Sequence, residues 1–329
     1  MSRIASIENL HEAFLRAARG KAMKRAVRVF RDNLDENLYA MSCQLLDGTF
    51  QFGKYHFFTV FDPKQRTICA ASFPERVAFH AMMRVCHPVF DDFQTNDSFA
   101  SRKGRGQYAA LDRTQYLTRR FAWFAKLDMC KYFDSISHEV MLAQLVRLFK
   151  DRQLMLYFRD LLDGYEVADG CGLPIGNLTS QYFANHYLSV ADHYAREHLH
   201  VAAMVRYMDD ILFFGNDKDE LLKQVHLYYS YVRATLRLAA HTPIINRSQM
   251  GIPFLGYVVY PNRLRLNERS RKRFTHKMAG LHKQLQDAVI SEHEYTNRAT
   301  CQHAFIEKAD VMPLKQRMST TIGMYPIGL

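Results

Sequence analysis

Residues 202–215, AAMVRYMDDILFFG, set two short runs of β-prone residues on either side of a pair of adjacent acids. Runs of that kind fold as strand, tight turn, strand, so the pattern predicts a hairpin with Asp209 and Asp210 at its tip. Taken alone, two neighbouring acids also fit an ordinary solvated turn. A second apolar run, Phe121 to Leu127, ends at Asp128 and has the profile of a buried strand with a carboxylate at its C-terminal edge. Three carboxylates from two elements can therefore meet at one edge of a sheet. Carboxylates with unperturbed pKa values of about 4 are ionised at neutral pH, and their hard oxygens suit Mg²⁺. That is the arrangement two-metal phosphoryl transfer needs, with ions about 3.5–4 Å apart.

The rest of the chain is compatible with a nucleic-acid partner. Its 329 residues carry 44 Lys plus Arg against 33 Asp plus Glu, a formal charge of +11 that favours phosphate-rich ligands. The six cysteines are dispersed without a CxxC pair, which excludes a zinc ribbon and reads as free thiols in a reducing cytosol. No apolar run reaches the length of a signal peptide or membrane span, so a cytoplasmic protein without membrane contact is expected. His186, His193 and His198 lack metalloprotease spacing and read as core or surface residues.

Along the chain, residues 7–45 have helical periodicity, with seven basic residues between Arg16 and Arg31 that fit either a solvated face or RNA contact. Residues 53–72 predict a hairpin turning at Asp62-Pro63-Lys64, with Lys64 and Arg66 near its tip. A helix over about 75–87 follows, then the basic glycine-rich stretch SRKGRG (101–106), which lacks phosphate-loop spacing. Helices are predicted over about 138–164 and from Ser180, a strand over 253–260, and a last basic helix from Asn267. Phe274, Met278, Leu281, Leu285 and Val289 form the apolar stripe of that helix.

Four segments, in order, carry a family resemblance: LDMCKYFDSI (127–136), GLPIGNLTSQ (172–181), YMDD (207–210) and FLGY (254–257). They resemble motifs A, B and C and the primer grip of reverse transcriptases, over roughly residues 50–260. The resemblance implies an α+β right-hand polymerase fold, with a basic helical extension (1–40), interleaved fingers and palm (41–265) and a helical thumb and tail (266–329). It implies catalysis by Asp128, Asp209 and Asp210, and metal binding by those residues and Met129, with two Mg²⁺ ions, Mn²⁺ being an alternative. Lys64 and Arg66 match triphosphate-binding positions, where charge-assisted bonds to phosphate are strong. Phe133 matches the aromatic gate that excludes a 2′-hydroxyl, which selects dNTPs over ribonucleotides. Ile175, Gly176 and Gln181 would complete the nucleotide pocket, while Tyr207, Met208, Leu255, Gly256, Arg271 and Lys272 would contact primer or template. Arg76 also matches a motif position, with a structural role equally open.

Motif B usually has Gln before its Gly and Pro after its Ser; here those positions are Ile175 and Gln181. This variant is similar to reverse transcriptases of diversity-generating retroelements, which copy a template RNA with errors at adenines. An aliphatic residue beside the nucleotide cannot hydrogen-bond, and discrimination can loosen. The resemblance implies template RNA, the RNA/DNA hybrid and a small, basic, multimeric accessory protein as partners. An antiphage-defence enzyme shares the same carboxylates; a retron enzyme usually keeps the conventional motif B. A non-catalytic RNA-binding scaffold would be expected to have lost a carboxylate.

Overall fold

The computed structural model describes residues 1–61 and 65–309. The predicted turn at Asp62-Pro63-Lys64, and with it Lys64, lies outside the described residues.

The N-terminal region is helical but broken: α1 (Ser2–Ala5), α2 (Ile7–Ala18), α3 (Arg25–Asp32) and α4 (Leu34–Asp47). Breaks fall where Gly20 takes φ 69° and where Asn33 leaves helical geometry. Strands β1 (Tyr55–Val60) and β2 (Arg66–Ala71) form the expected hairpin, in register from Tyr55↔Ala71 to Val60↔Arg66. Helix α5 (Phe73–Phe93) begins with a reciprocal cap between Ser72 and Glu75. The buried Glu75 carboxylate also accepts from Gly53 N (2.7 Å) and Lys54 N (3.1 Å), fixing the entry to β1 against the start of α5. This helix runs past the expected end near His87 and through Pro88. Phe90 on the added turns packs on Phe149, Tyr182 and Phe183, burial that outweighs one lost backbone bond.

Next come α6 (Gln107–Thr118), β3 (Trp123–Leu127), a 3₁₀ turn (Tyr132–Ser135), α7 (His138–Leu148) and α8 (Arg152–Asp163). The single helix predicted over 138–164 is two, because the Asp151 side chain caps a new start at Leu154 N (3.0 Å). Helix α9 (Leu178–Glu197) begins two residues before the predicted Ser180. The chain continues through β4 (Ala203–Tyr207), β5 (Asp210–Gly215), α10 (Lys218–Leu236) and β6 (Ile244–Arg247). The strand predicted over 253–260 is instead the hairpin β7 (Ile252–Phe254) and β8 (Tyr257–Val259), joined by β9 (Leu264–Leu266) in a separate sheet. Leu255 (φ 49°) and Gly256 (φ 88°) both take the left-handed conformation that a two-residue hairpin turn demands. Helix α11 (Glu268–Gln286) is followed by α12 (Glu292–Ile306). Val289 lies beyond α11 and is 70% exposed, so it leaves the predicted apolar stripe.

The central sheet has strand order β4-β5-β3-β6, and every pairing in it is antiparallel. Side chains alternate across it. Ala125, Leu127, Met204, Ile211 and Phe213 enter the larger core with α5, α9 and α10, whereas Phe124, Val205, Leu212 and Phe214 enter a second core with α6, β7, β8, α11 and α12. Both faces are buried along β4 and β5 and most of β3, β6 is largely exposed, and polar groups concentrate at the end where β3 finishes and β5 begins.

Two substitutions test the junction before α5. Ser72→Ala should cost about 1 kcal/mol as a lost cap. Glu75→Ala, which orphans three backbone N–H groups, should cost about 3 kcal/mol in urea unfolding.

Candidate functional site

The sheet register brings the three acids together. Leu127 pairs with Ile211, so Asp128 lies one step beyond, across from Asp210. Tyr207 pairs with Asp210, leaving Met208 (φ 55°) and Asp209 as the two turn residues. Lys126 shares the Asp128 face of β3; its Nζ is 2.9 Å from Asp210 Oδ1 and donates to Pro253 O at 3.1 Å. The Asp209 carboxyl is pushed up to about 6, first by burial and then by the charges of Asp128 and Asp210. Its own backbone N–H and the field of Arg66 pull the other way.

These donors fit a hard divalent cation. Among the described residues no group of three or more His, Cys, Asp or Glu side chains stands ready to hold an ion by itself. Mg²⁺ needs no closed protein cage, because it binds through one or two carboxylates, its own waters and substrate phosphate. Unbalanced negative charge at Asp209 is what such a cation would relieve.

Other predicted residues fall around this edge with varying contact. Met129 is buried, and its backbone pairs with Ala240. Phe133 is half-buried in the 3₁₀ turn, and its carbonyl accepts from Leu173 N at 2.8 Å, which ties motif A to the loop before α9. The Ile175 carbonyl accepts from Cys69 N at 2.8 Å. Gly176 (φ 121°) lies so close to β2 that an added Cβ would stand 2.9 Å from Ile68 Cγ2 and 3.1 Å from Cys69 O. Gln181 is exposed and accepts from the Ser101 hydroxyl at 3.3 Å. The Leu255–Gly256 turn is held by Gln107 Nε2 on Leu255 O (3.0 Å) and by Asn267 N on Gly256 O (3.1 Å). Arg271 and Lys272 are exposed on α11, Lys272 pairing with Glu268 at 2.7 Å.

The reverse transcriptase (RNA-dependent DNA polymerase) family profile matches residues 63–257, a span that contains Asp128 and the Asp209-Asp210 hairpin. The chain belongs to the reverse transcriptase family. It is similar to the putative COX1/OXI3 intron 1 protein of Saccharomyces cerevisiae, 24% identical over 173 residues, half of this chain and 21% of that protein. The chain thus spans about a fifth of that curated relative's length. Apo telomerase from Candida tropicalis has a similar fold, with a TM-score of 0.50 and 11% identity over 67% of this chain and 49% of that one. Telomerase from Candida albicans, in complex with a TWJ fragment of telomeric RNA, gives 0.49 and 14% over 73% and 52%. The α+β class and the right-hand polymerase fold expected from the motifs are borne out. Among the described residues, no helix is long and apolar enough to cross a membrane.

Two cations beside the carboxylate edge were not expected from the sequence. Lys126 interrupts the apolar β3 run and neutralises Asp210. Arg206 is fully buried, and its Nε donates to Asp192 Oδ1 and Oδ2 at 2.9 and 2.7 Å. The available signal was a charged residue inside an apolar strand, which must find a buried partner. The basic loop at 101–106 spends its guanidinia internally, Arg102 on Asp91 (2.7 Å) and Thr95 O (2.7 Å), Arg105 on Asn96. Arg76 donates to Ala17 O at 3.2 Å, which joins α5 to α2.

A carboxyl raised to about 6 binds its proton more tightly folded than unfolded, so it costs stability as pH rises from about 4 through 6. In EDTA, Asp209→Asn should therefore be more stable than the parent by about 1–3 kcal/mol at pH 7.5. That gain should vanish below about pH 4. Denaturation curves across pH check it, and added Mg²⁺ should stabilise the parent more than the variant.

Proposed function

We propose that this chain is an RNA-directed DNA polymerase that copies a template RNA into cDNA. The observation that carries the reading is the convergence of Asp128, Asp209 and Asp210 at one strand edge, within the field of Arg66. In the reaction the primer 3′-oxygen bonds to the α-phosphorus of a dNTP as the bond to pyrophosphate breaks. Two divalent ions, Mg²⁺ or Mn²⁺, would supply an acidified 3′-hydroxyl and neutralise charge on the leaving pyrophosphate. Asp128 and Asp209 would hold them, with Asp210 shared with Lys126 and the Met129 backbone alongside.

Arg66, with Lys64, would bind the triphosphate, and Phe133 would sit beneath the sugar. Ile175, Gly176 and Gln181 would shape the base pocket, although Gln181 makes its contact with Ser101. Tyr207, Met208, Leu255 and Gly256 would steer the primer end, and Arg271 and Lys272 would meet the duplex backbone. In this reading residues 41–265 are fingers and palm, 266–329 the thumb and 1–40 a basic extension. Ile175 and Gln181 in place of the usual motif B residues support the diversity-generating subtype. That subtype brings adenine-biased errors, a structured template RNA and a small basic accessory protein.

Primer extension on an RNA template is the test. Incorporation should require Mg²⁺ or Mn²⁺ and fall at least a thousandfold in Asp209→Ala, whose RNA binding should persist; a fully active variant would sink the site. Sequenced products should carry errors at template adenines, whereas evenly spread errors would count against the subtype. Phe133→Ala should raise ribonucleotide incorporation about tenfold or more relative to dNTP, by removing a steric clash.

A further inference from the structure

We infer that Arg206 is a positioning residue for the Asp209 carboxylate, acting through the peptide bond between Met208 and Asp209. The inference rests on the polymerase reading above. Arg206 Nη1 donates to Met208 O at 3.2 Å. Met208 takes the left-handed conformation (φ 55°) of a tight hairpin turn, and its carbonyl faces the guanidinium. The other half of the same peptide is the Asp209 backbone nitrogen, so the plane of that peptide sets the direction in which Asp209 and its carboxylate leave the turn. Carbonyl and N–H lie in one rigid plane, so fixing the first fixes the second.

The guanidinium itself cannot drift. Asp192, which is fully buried, takes Nε; Asn185 Oδ1 takes Nη1 at 2.9 Å; Gln94 Oε1, Ser98 Oγ and Asn185 O take Nη2, each at 3.1 Å. The Arg206 backbone is equally held, its N–H donating to Asp97 O at 2.8 Å and its carbonyl accepting from Phe99 N at 2.9 Å. Strand alternation puts Arg206 on the α9 side of the sheet and Tyr207 and Asp210 on the other. With no exposed surface, Arg206 touches neither nucleotide nor primer. Its effect on chemistry passes through the hairpin backbone.

A matched pair of variants separates positioning from mere packing. Asn185→Ala removes the second acceptor on Nη1, the nitrogen that holds Met208. Ser98→Ala removes an acceptor on Nη2. Mn²⁺ affinity is read directly by electron paramagnetic resonance on the nucleotide-free full chain, alongside primer extension and urea unfolding. Asn185→Ala and Arg206→Lys should weaken Mn²⁺ binding about tenfold, as loss of an outer orienting contact does, and lower kcat with little change in KM for dNTP. Ser98→Ala should lose stability but keep the parent's Mn²⁺ affinity. If Arg206→Lys does not fold, the Asn185 and Ser98 pair still decides. Equal Mn²⁺ loss in both, or none in Asn185→Ala, overturns the inference while leaving the polymerase reading intact. A parent that neither binds Mn²⁺ nor extends a primer would instead overturn that reading, and the inference with it.

Discussion

The structure around the carboxylate edge depends on one buried guanidinium. Arg206 and Asp192 are both fully buried, and such a pair is tolerable only when every donor is satisfied. Satisfying it gathers three stretches of chain: Gln94 to Phe99 after α5, Asn185 to Asp192 on α9, and the β4–β5 hairpin. Breaking such a pair typically costs about 3–5 kcal/mol because the surviving charge is left stranded. Through its backbone, Arg206 also adds the 97–99 segment beside β4, which covers that edge of the central sheet.

The sheet divides two cores, and the acids lie where that division ends. Phe124, Ala125 and Leu127 on β3 and Ile211 to Phe214 on β5 are each committed to one core or the other, which confines charge to the strands' shared end. At their shared end the alternation delivers Lys126, Asp128 and Asp210 to one face, and the turn sets Asp209 beside them. The opposing hairpin β7–β8 is tied in through Lys126 and Pro253 O, while Gly176 closes against β2 with no space for a side chain. Motif A thus meets motif B through the Phe133 carbonyl, motif C through the β3–β5 pairing, and the FLGY hairpin through the Lys126 side chain.

Much of this was legible beforehand. The β4–β5 hairpin follows from two β-prone runs around an acidic turn, the strand ending at Asp128 from a short apolar run, and the β1–β2 pairing from alternation around a turn. Boundaries set by tertiary packing were not: α5 runs through Pro88 because Phe90 finds an aromatic cluster, and residues 253–260 fold back because Leu255 accepts a left-handed turn. Helix α12 carries a local signal, Ser291 capping Glu294 N, but only a weak apolar stripe of its own. The basic loop at 101–106 lacks phosphate-loop spacing, and the structure gives its arginines internal acceptors, Asp91, Thr95 and Asn96, which precede it on the end of α5 and the connection that follows.

By itself the sequence determined the strand that ends at Asp128 and the hairpin that carries Asp209 and Asp210, because apolar runs and turn chemistry are local properties. It also carried, through the order of its motifs, membership in the reverse transcriptase family. Only the tertiary structure decided how charge is balanced: that Lys126 takes Asp210, that Arg206 takes Asp192, and that Asp209 is left with a raised proton affinity. Those outcomes depend on distance and burial between residues far apart in the chain, and electrostatic energy is set by both.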